Sequence, residues 1–387
     1  MTAAERPGDG AAAGGGAPPD LEEALEGRAG LEREDAVLDR IERWRRHRPK
    51  LREDFVNSAH GAGGKASAAL IDAVFLEAFR NPTLEAMADG AVLPLPSGDR
   101  LAFSTDSFVV KPLRFPGGSI GHLAIHGTVN DLAMMGAVPQ WLSTGFIIED
   151  GFPVAELRDI VADMHDAADA AGVTVVTGDT KVVNKGAADG VYINTAGIGL
   201  VPAGVDLRPA TVRPGDKVLV SGHVGDHGVS VMLARGDLAL EAEIPSDTAP
   251  LNRLVADLLA AAPHTRFLRD PTRGGLATVC NELARDAEVA VVLDEAAIPV
   301  RNVVNGACEI LGIDPYYVAN EGKLVAVVPA GEADAALTAM RATPVGADAA
   351  VIGEIRADPP RIVILNTRFG GNRIVDMLVG DPLPRIC

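Results

Sequence analysis

Apolar and polar positions along the chain change period repeatedly, and the changes outline a series of elements. Between residues 67 and 79, Leu70, Ile71, Val74, Leu76 and Phe79 recur at helical spacing after a glycine-rich turn. Residues 101–110 read as a strand, 119–135 as a helix, 146–149 as a strand and 154–171 as a helix. The β-branched run 173–177 and residues 191–200 read as further strands. Around 202–214 the texture turns to proline, glycine and isolated polar residues, which marks a domain boundary. A second series follows: strand 217–221, a glycine-rich turn, helices 251–262 and 275–285, strands 289–293 and 324–328, and helix 332–342. The elements intermix without the regular alternation of a doubly wound sheet. The expectation is an α/β (α+β) protein with an N-terminal domain at 51–205, a C-terminal domain at 206–366 and a flexible tail at 367–387.

Ahead of this body, residues 1–20 are mostly Ala, Gly and Pro and are expected to be disordered. Residues 31–44 place Val37, Leu38, Ile41 and Trp44 on one helical face, an amphipathic helix ended by Pro49. The other end reads Asp381-Pro-Leu-Pro-Arg-Ile-Cys387. Its two prolines fix φ and favour an extended run, and Gly370-Gly371 upstream is expected to act as a joint. The arm carries a nucleophile, Cys387, at its tip.

Composition narrows the function classes. The formal net charge of −18 disfavours a nucleic-acid partner, which requires clustered Lys and Arg, and any nucleotide bound here needs a divalent cation between two negative partners. No apolar run reaches the ~18–20 residues of a membrane span, and the start of the sequence lacks the pattern of a secretory signal. The three cysteines, Cys280, Cys308 and Cys387, form no CxxC pair and fit a reduced, cytoplasmic setting.

Several constellations carry candidate chemistry. His60-Gly-Ala-Gly-Gly-Lys65 is glycine-rich but not a P-loop, since Ala59 stands where the first Gly belongs and Ala66 replaces the Ser or Thr that holds Mg²⁺. It reads either as a loop whose backbone N–H groups and Lys65 approach an anion or as a plain helix start. Asp106, Asp131 and Asp179 lie within or just beyond apolar segments, so that carboxylates from several elements can converge on Mg²⁺ and nucleotide oxygens; each alone can equally cap a helix or start a turn. His122 and His126 have the i, i+4 spacing of a zinc pair, but Leu123 stands where a general-base Glu would be, which favours a structural role. Cys280 and Cys308 read as buried core thiols. Gly225-Asp-His-Gly228 and Arg269-Asp-Pro-Thr-Arg-Gly-Gly275 read as phosphate contacts or ordinary turns, and Asn320-Glu-Gly322 places a carboxylate at a strand start.

Taken in order, these motifs, with Ser104-Thr-Asp-Ser107, Val129-Asn-Asp-Leu132, Thr177-Gly-Asp-Thr-Lys181 and the terminal Pro384-Arg-Ile-Cys387, resemble one family over residues 55–387: the HypE hydrogenase maturation factors, which are carbamoyl dehydratases. The middle motifs are shared with a wider PurM-like ATP-using superfamily that includes aminoimidazole ribonucleotide synthetase, thiamine-monophosphate kinase and selenophosphate synthetase; the terminal motif is far more specific. The resemblance implies a two-domain PurM-like homodimer, with ATP and Mg²⁺ held mainly by the N-terminal domain. It implies that a partner, HypF, carbamoylates Cys387, that ATP drives dehydration to an S-cyanate, and that the cyanide passes to iron on a HypC–HypD scaffold.

Residue by residue, the resemblance implies that His60, Gly61, Gly63, Gly64, Lys65, Asn130 and Thr180 bind nucleotide together with Asp106, Asp131 and Asp179, the last three through metal. Asp270 is a further candidate. Lys181 and Glu321 match positions near the modified cysteine, where they hold and deprotonate the amide; Lys181 has an alternative electrostatic role. Two rival readings stand beside this one. In a small-molecule kinase or synthetase of the same superfamily Cys387 is incidental, and in a non-catalytic scaffold the tail is a docking peptide. Selenophosphate synthetase is disfavoured because no Cys precedes position 280.

Overall fold

The computed structural model describes residues 51–237, 244–378 and 385–387. The readings for residues 1–50, and for most of the proline-bearing arm, lie outside these. The first seven strands are β1 (Ala91–Pro94), β2 (Arg100–Phe108), the short hairpin β3 (Arg114–Phe115) and β4 (Gly118–Ser119), β5 (Val138–Glu149), β6 (Thr174–Val183) and β7 (Val191–Val201). Five of them form a sheet in the order β1-β2-β7-β5-β6, antiparallel except for the parallel β5–β6 pair. The period-2 pattern of β2 turns Ala102, Ser104, Asp106 and Phe108 toward one face and Phe103, Thr105 and Ser107 toward the other.

The first face is covered by the helix Ile120–Met134, capped by Ser119, whose Oγ accepts from the backbone N–H groups of Gly121 and His122. This helix is buried nearly all round, as expected of an element with protein on both sides. Leu123 and Val129 join the core beneath the first sheet, while Ala133 and Met134 pack with Leu251, Leu254 and Leu258.

The second sheet is built from β8 (Lys217–Val220), β9 (Phe267–Arg269), β10 (Ala290–Asp294), β11 (Val325–Val328), β12 (Ala350–Arg356), β13 (Ile362–Asn366) and β14 (Asn372–Ile374), in the order β14-β13-β10-β12-β8-β11-β9. Helix Gly275–Ala287 packs on one face through Leu276, Cys280 and Leu283, and helices Asn252–Ala261 and Ala333–Arg341 pack on the other. Strand β11, covered on both faces, is therefore continuously apolar. No helix among the described residues is long and apolar enough to cross a membrane.

Three local readings are corrected. The region after Thr367 begins as a hairpin: Gly370, at φ 85°, turns the chain so that β14 pairs with β13, and the Thr367 N–H donates to the Gly371 carbonyl. Gly370-Gly371 is thus a turn, not a joint. Helix Asp226–Arg235 replaces the expected glycine-rich turn, with the left-handed Gly225 at its start. Helix Asn302–Leu311 also went unpredicted, its apolar positions Val304, Ala307 and Cys308 lying between polar ones.

Asn130 ties the two sheets' layers together. Its Nδ2 donates to the carbonyls of Ala249 (3.1 Å) and Glu321 (3.3 Å), and its Oδ1 accepts from the Leu251 N–H (2.8 Å). With the side chain fully buried, removing it leaves at least one backbone N–H and one carbonyl without a partner, at about 1–3 kcal/mol each. Asn130→Ala is expected to lower the urea unfolding midpoint by an amount worth at least about 1–3 kcal/mol; an unchanged midpoint would show that the tie carries no stability.

Candidate active site

Four carboxylates gather where the sheets meet the Ile120–Met134 helix. Asp106, on the inward face of β2, lies over Gly127, whose added Cβ would stand 3.7 Å from Asp106 Oδ2. Asp131 follows one turn along that helix. Asp89 precedes β1, and Asp270 follows β9. Ligand oxygens of Asp89, Asp131 and Asp270 lie within 4.8 Å of one another. Ser104 Oγ is 2.6 Å from Asp131 Oδ2 and 2.9 Å from the Asp89 carbonyl oxygen. Arg269 Nε pairs with Asp89 Oδ1 at 2.9 Å and its Nη2 with Glu282 at 3.3 Å, whereas Asp89 Oδ2 is buried without a hydrogen-bond partner.

This crowding raises the affinity of every member for protons. Burial comes first for Asp131, followed by the charges of Asp270, Asp89 and Asp106, and its pKa stands well above the ordinary carboxylate value. Asp270 is likewise pushed well up by burial and Asp89, while Arg269 opposes the shift. Burial also raises Asp89 and Asp106, against Arg269 and Arg273 respectively. A set of hard oxygen donors with an orphaned carboxylate oxygen and unrelieved repulsion fits a divalent cation such as Mg²⁺.

Next to the cluster is a cavity of about 380 Å³ lined by Asn57, His60, Gly61, Gly64, Ser107, Val109, Arg273, Tyr317 and Cys387. Arg273 connects its walls. Its guanidinium donates to the Gly61 carbonyl at 3.4 Å, and its charge is held by the negative charge at Cys387 first, then by Asp106, Glu321 and Asp131. Glu321 is buried at the mouth of β11, its N–H bound to Asp247 Oδ1 at 3.0 Å. Burial, then Asp270, Asp106 and Asp247, raise its pKa well above the usual range.

The end of the chain is seated here. Ile386 is buried in the same apolar cluster as Phe108, Ile120 and Val229. Its carbonyl lies 2.6 Å from His227 Nε2, and the Cys387 carbonyl accepts from the Val109 N–H at 3.1 Å. Arg385 takes the left-handed conformation, φ 57°, which disfavours a non-glycine residue. Contacts on three sides hold it there: its guanidinium pairs with Asp189 and donates to the Val109 carbonyl, and its own carbonyl accepts from Arg235.

The other residues singled out in the sequence divide into two groups. His60 through Lys65 line or border the cavity, and the far end of this loop contacts the chain after β14. Lys65 Nζ pairs with Asp376 at 2.9 Å, the Lys65 N–H donates to the Leu378 carbonyl, and a Cβ on Gly64 would stand 2.5 Å from that oxygen. Gly63 is left-handed against Arg273. Asn130 spends its amide on backbone groups and positions Glu321 from behind. Asp179, Thr180 and Lys181 lie on β6, an exposed edge strand. Lys181 Nζ binds both carboxylate oxygens of Asp179, at 2.7 and 2.9 Å, which holds the Asp179 pKa below its ordinary value. None of these three lines the cavity that holds Cys387 within the same chain.

Asp89 and Arg273 were not predicted. Asp89 stands in an unremarkable Ala-Asp-Gly ahead of a strand, and Arg273 was visible only as part of its motif. The His122–His126 pair takes up hydrogen bonds of the structural kind the sequence favoured: His126 Nδ1 meets Thr248 Oγ1 at 3.0 Å and His122 Nδ1 meets Ser119 Oγ at 3.1 Å, and burial lowers the His126 pKa to about 3. Burial pushes Cys280 and Cys308 up to about 12, as expected of inert core thiols.

Comparison with known proteins decides the family. Residues 87–201 and 213–366 match the N-terminal and C-terminal domains of AIR synthase related proteins. The carbamoyl dehydratase HypE of Cupriavidus necator is 53% identical over 86% of this chain and 95% of its own, and that of Escherichia coli K12 is 47% identical over 86% and 99%. The chain belongs to the HypE carbamoyl dehydratase family. Among solved structures, a HypE in complex with ATP superposes with a TM-score of 0.72 at 46% identity, over 84% of this chain and 98% of that one. A HypE–HypF complex gives 0.76 at 47%, over 80% and 100%. A thiamine monophosphate kinase of Aquifex aeolicus, 19% identical over 74% of this chain and 93% of its own with a TM-score of 0.56, shares the fold alone.

The buried acids carry a pH signature. Carboxylates whose folded pKa exceeds the unfolded value bind extra protons in the native state, so the stability this confers is lost as pH rises from about 4 through the raised values. Cation-free protein is therefore expected to melt at progressively lower temperature between pH 5 and 8 on the order-of-magnitude scale of such shifts. Mg²⁺ should restore the loss, and Asp131→Asn should flatten the slope. Identical pH slopes for the variant and the parent chain would contradict the assignment.

Proposed function

We propose that this HypE-family chain dehydrates an S-carbamoyl group on its own Cys387 to an S-cyanate, using ATP. The observation that carries this reading is the seating of Cys387 in the cavity beside Arg273, next to the buried acids and Glu321. A residue carried on the chain itself is thereby held as a substrate would be.

The chemistry makes defined demands. An amide oxygen is a very poor leaving group, so it must first be phosphorylated. The carbamoyl oxygen attacks the γ-phosphorus of ATP, ADP leaves, and one N–H proton is lost to give an imidate phosphate. Loss of the second N–H proton and expulsion of phosphate then leave S–C≡N. Mg²⁺, which Asp89, Asp131 and Asp270 with Asp106 would hold, supplies charge screening at the phosphates. Arg273 is placed to offset negative charge developing next to the sulfur. Glu321 is the base: burial and the neighbouring acids raise its pKa, which makes its carboxylate a stronger proton acceptor.

Lys181 enters through a second copy. The outward face of the first sheet exposes Phe103, Val138, Trp141, Ile147 and Leu200, and β6 adds Val175, Val176 and Val182. A continuous apolar face of this kind on a sheet with an open edge is a protein interface. A homodimer formed through it buries β6 and brings Asp179, Thr180 and Lys181 into the interface, to serve nucleotide and amide there. HypF is the proposed carbamoyl donor, a HypC–HypD scaffold the acceptor of cyanide, and the cytoplasm the compartment that keeps the thiol reduced.

Intact-mass analysis after incubation with HypF, carbamoyl phosphate and ATP tests the main reading. A carbamoyl adduct on Cys387 should appear and convert to a species lighter by one water; Cys387→Ala should bind ATP yet acquire neither. Turnover of a free small substrate by Cys387→Ala would instead establish a kinase or synthetase. For the dimer, Trp141→Asp should halve the solution mass by light scattering and abolish dehydration, whereas a variant that stays dimeric would place the interface elsewhere.

A further inference from the structure

The Gly225-Asp-His-Gly228 motif places His227 in neither of its expected roles. Its ring is fully buried, edge-on to Phe115 with centroids 5.5 Å apart, in the first turn of helix Asp226–Arg235. Both nitrogens are engaged. Nδ1 lies 2.8 Å from Ser246 Oγ and Nε2 lies 2.6 Å from the Ile386 carbonyl oxygen. A carbonyl only accepts, so Nε2 carries the proton. Burial lowers the ring's pKa and keeps it neutral, so Nδ1 accepts from the Ser246 hydroxyl. Ser246 Oγ in turn accepts from the Thr248 N–H, and the Ser246 N–H is anchored on the Pro116 carbonyl at 2.7 Å. The donor that meets the tail is therefore fixed in both tautomer and direction.

The residue after Ser246 does something different. Asp247 Oδ1 accepts from the Glu321 N–H at 3.0 Å, and Lys323 Nζ lies 3.4 Å from Asp247 Oδ2. The backbone at Asp247 passes so close to Gly322 that an added Cβ would stand 1.8 Å from the Asp247 carbonyl oxygen. Asn130 holds the same strap from the far side, through the Ala249 carbonyl and the Leu251 N–H, and also grips the Glu321 carbonyl. One short segment thus touches the seat of the tail with one residue and the proposed base with the next.

We propose that His227 is a positioning residue that seats the chain end by donating to the Ile386 carbonyl, and that the Ser246–Asp247 peptide links this seat to the backbone of Glu321. The proposal deepens the function given above and rests on it for the role of Glu321, but not for the seat itself. Seating the tail holds the sulfur at the cavity and, by the same strap, holds the base in register with it. A chain whose tail is out lacks one of the restraints on Glu321.

Two substitutions separate the contacts. His227→Asn keeps an amide at the Nδ1 position toward Ser246 but cannot reach Ile386. His227→Gln carries a donor at the Nε2 position. Cys280 and Cys308 are buried with raised pKa values, so iodoacetamide on the folded full-length chain reads Cys387. His227→Asn is expected to speed alkylation of Cys387 about five- to ten-fold, the worth of one buried hydrogen bond, with His227→Gln restoring most of the protection. Amide exchange at Glu321 should accelerate in His227→Asn while amides of β11 do not. In the pre-carbamoylated chain, single-turnover dehydration should slow by a similar factor at unchanged ATP affinity. Unchanged alkylation in folded His227→Asn would overturn the seat, and unchanged exchange at Glu321 would overturn the link. Wild-type chain that never dehydrates would sink the proposed function alone, because alkylation and exchange still report on the seat and the link.

Discussion

Repulsion among buried carboxylates is the constraint on which this structure turns. Asp89, Asp106, Asp131 and Asp270 come from four separate segments and meet in a desolvated place, with Asp270 buried and the other three half-buried. Bringing them together opposes folding, and the surrounding architecture reads as its compensation. Arg269 reaches from β9 to Asp89 and Glu282, Arg273 faces Asp106, and Ser104 offers a hydroxyl to Asp131. The Ile120–Met134 helix can carry Asp131 into such a place because nearly all of it is buried, with apolar residues packed on both sheets' layers and its buried polar side chains hydrogen-bonded.

The same surplus of negative charge shapes the surroundings of the cavity. Arg273 lies between these acids and the cavity: it lines the cavity and feels the charges of Asp106, Glu321 and Asp131. The seated tail fits this electrostatic frame, since the negative charge at Cys387 is the largest influence on Arg273. Around it the contacts are mainly backbone-directed: His227 to Ile386, Val109 to Cys387 and Arg235 to Arg385. The last three residues are thus seated through their main-chain atoms.

Much of the fold was legible because local periodicity and burial agree. Helix Val154–Ala171 has the predicted bounds, and β2, β7 and helix Gly275–Ala287 differ by a residue or two at their ends. Legibility failed where glycine punctuates an element. Gly225 starts a helix in a left-handed conformation, and Gly370 closes a hairpin, although both resemble loop glycines in sequence. It failed for Asp89 and Arg273 as well, because a single carboxylate or guanidinium gains meaning only from neighbours distant along the chain.

By itself the sequence determined the family and the two-part α/β plan, and it singled out Cys387 as the candidate thiol, because motif order, apolar period and a terminal tetrapeptide are all local properties. Tertiary structure decided which acids converge, that Asn130 serves the scaffold, and that β6 with Lys181 lies on an open edge. It also decided that the last three residues rest against His227, Val109 and Arg235 beside Arg273. Each of these depends on contacts between segments far apart in the chain, where burial and Coulomb interaction act through space. The terminal thiol of Cys387 stood out in the sequence; the seat that Ile386 and Cys387 occupy did not.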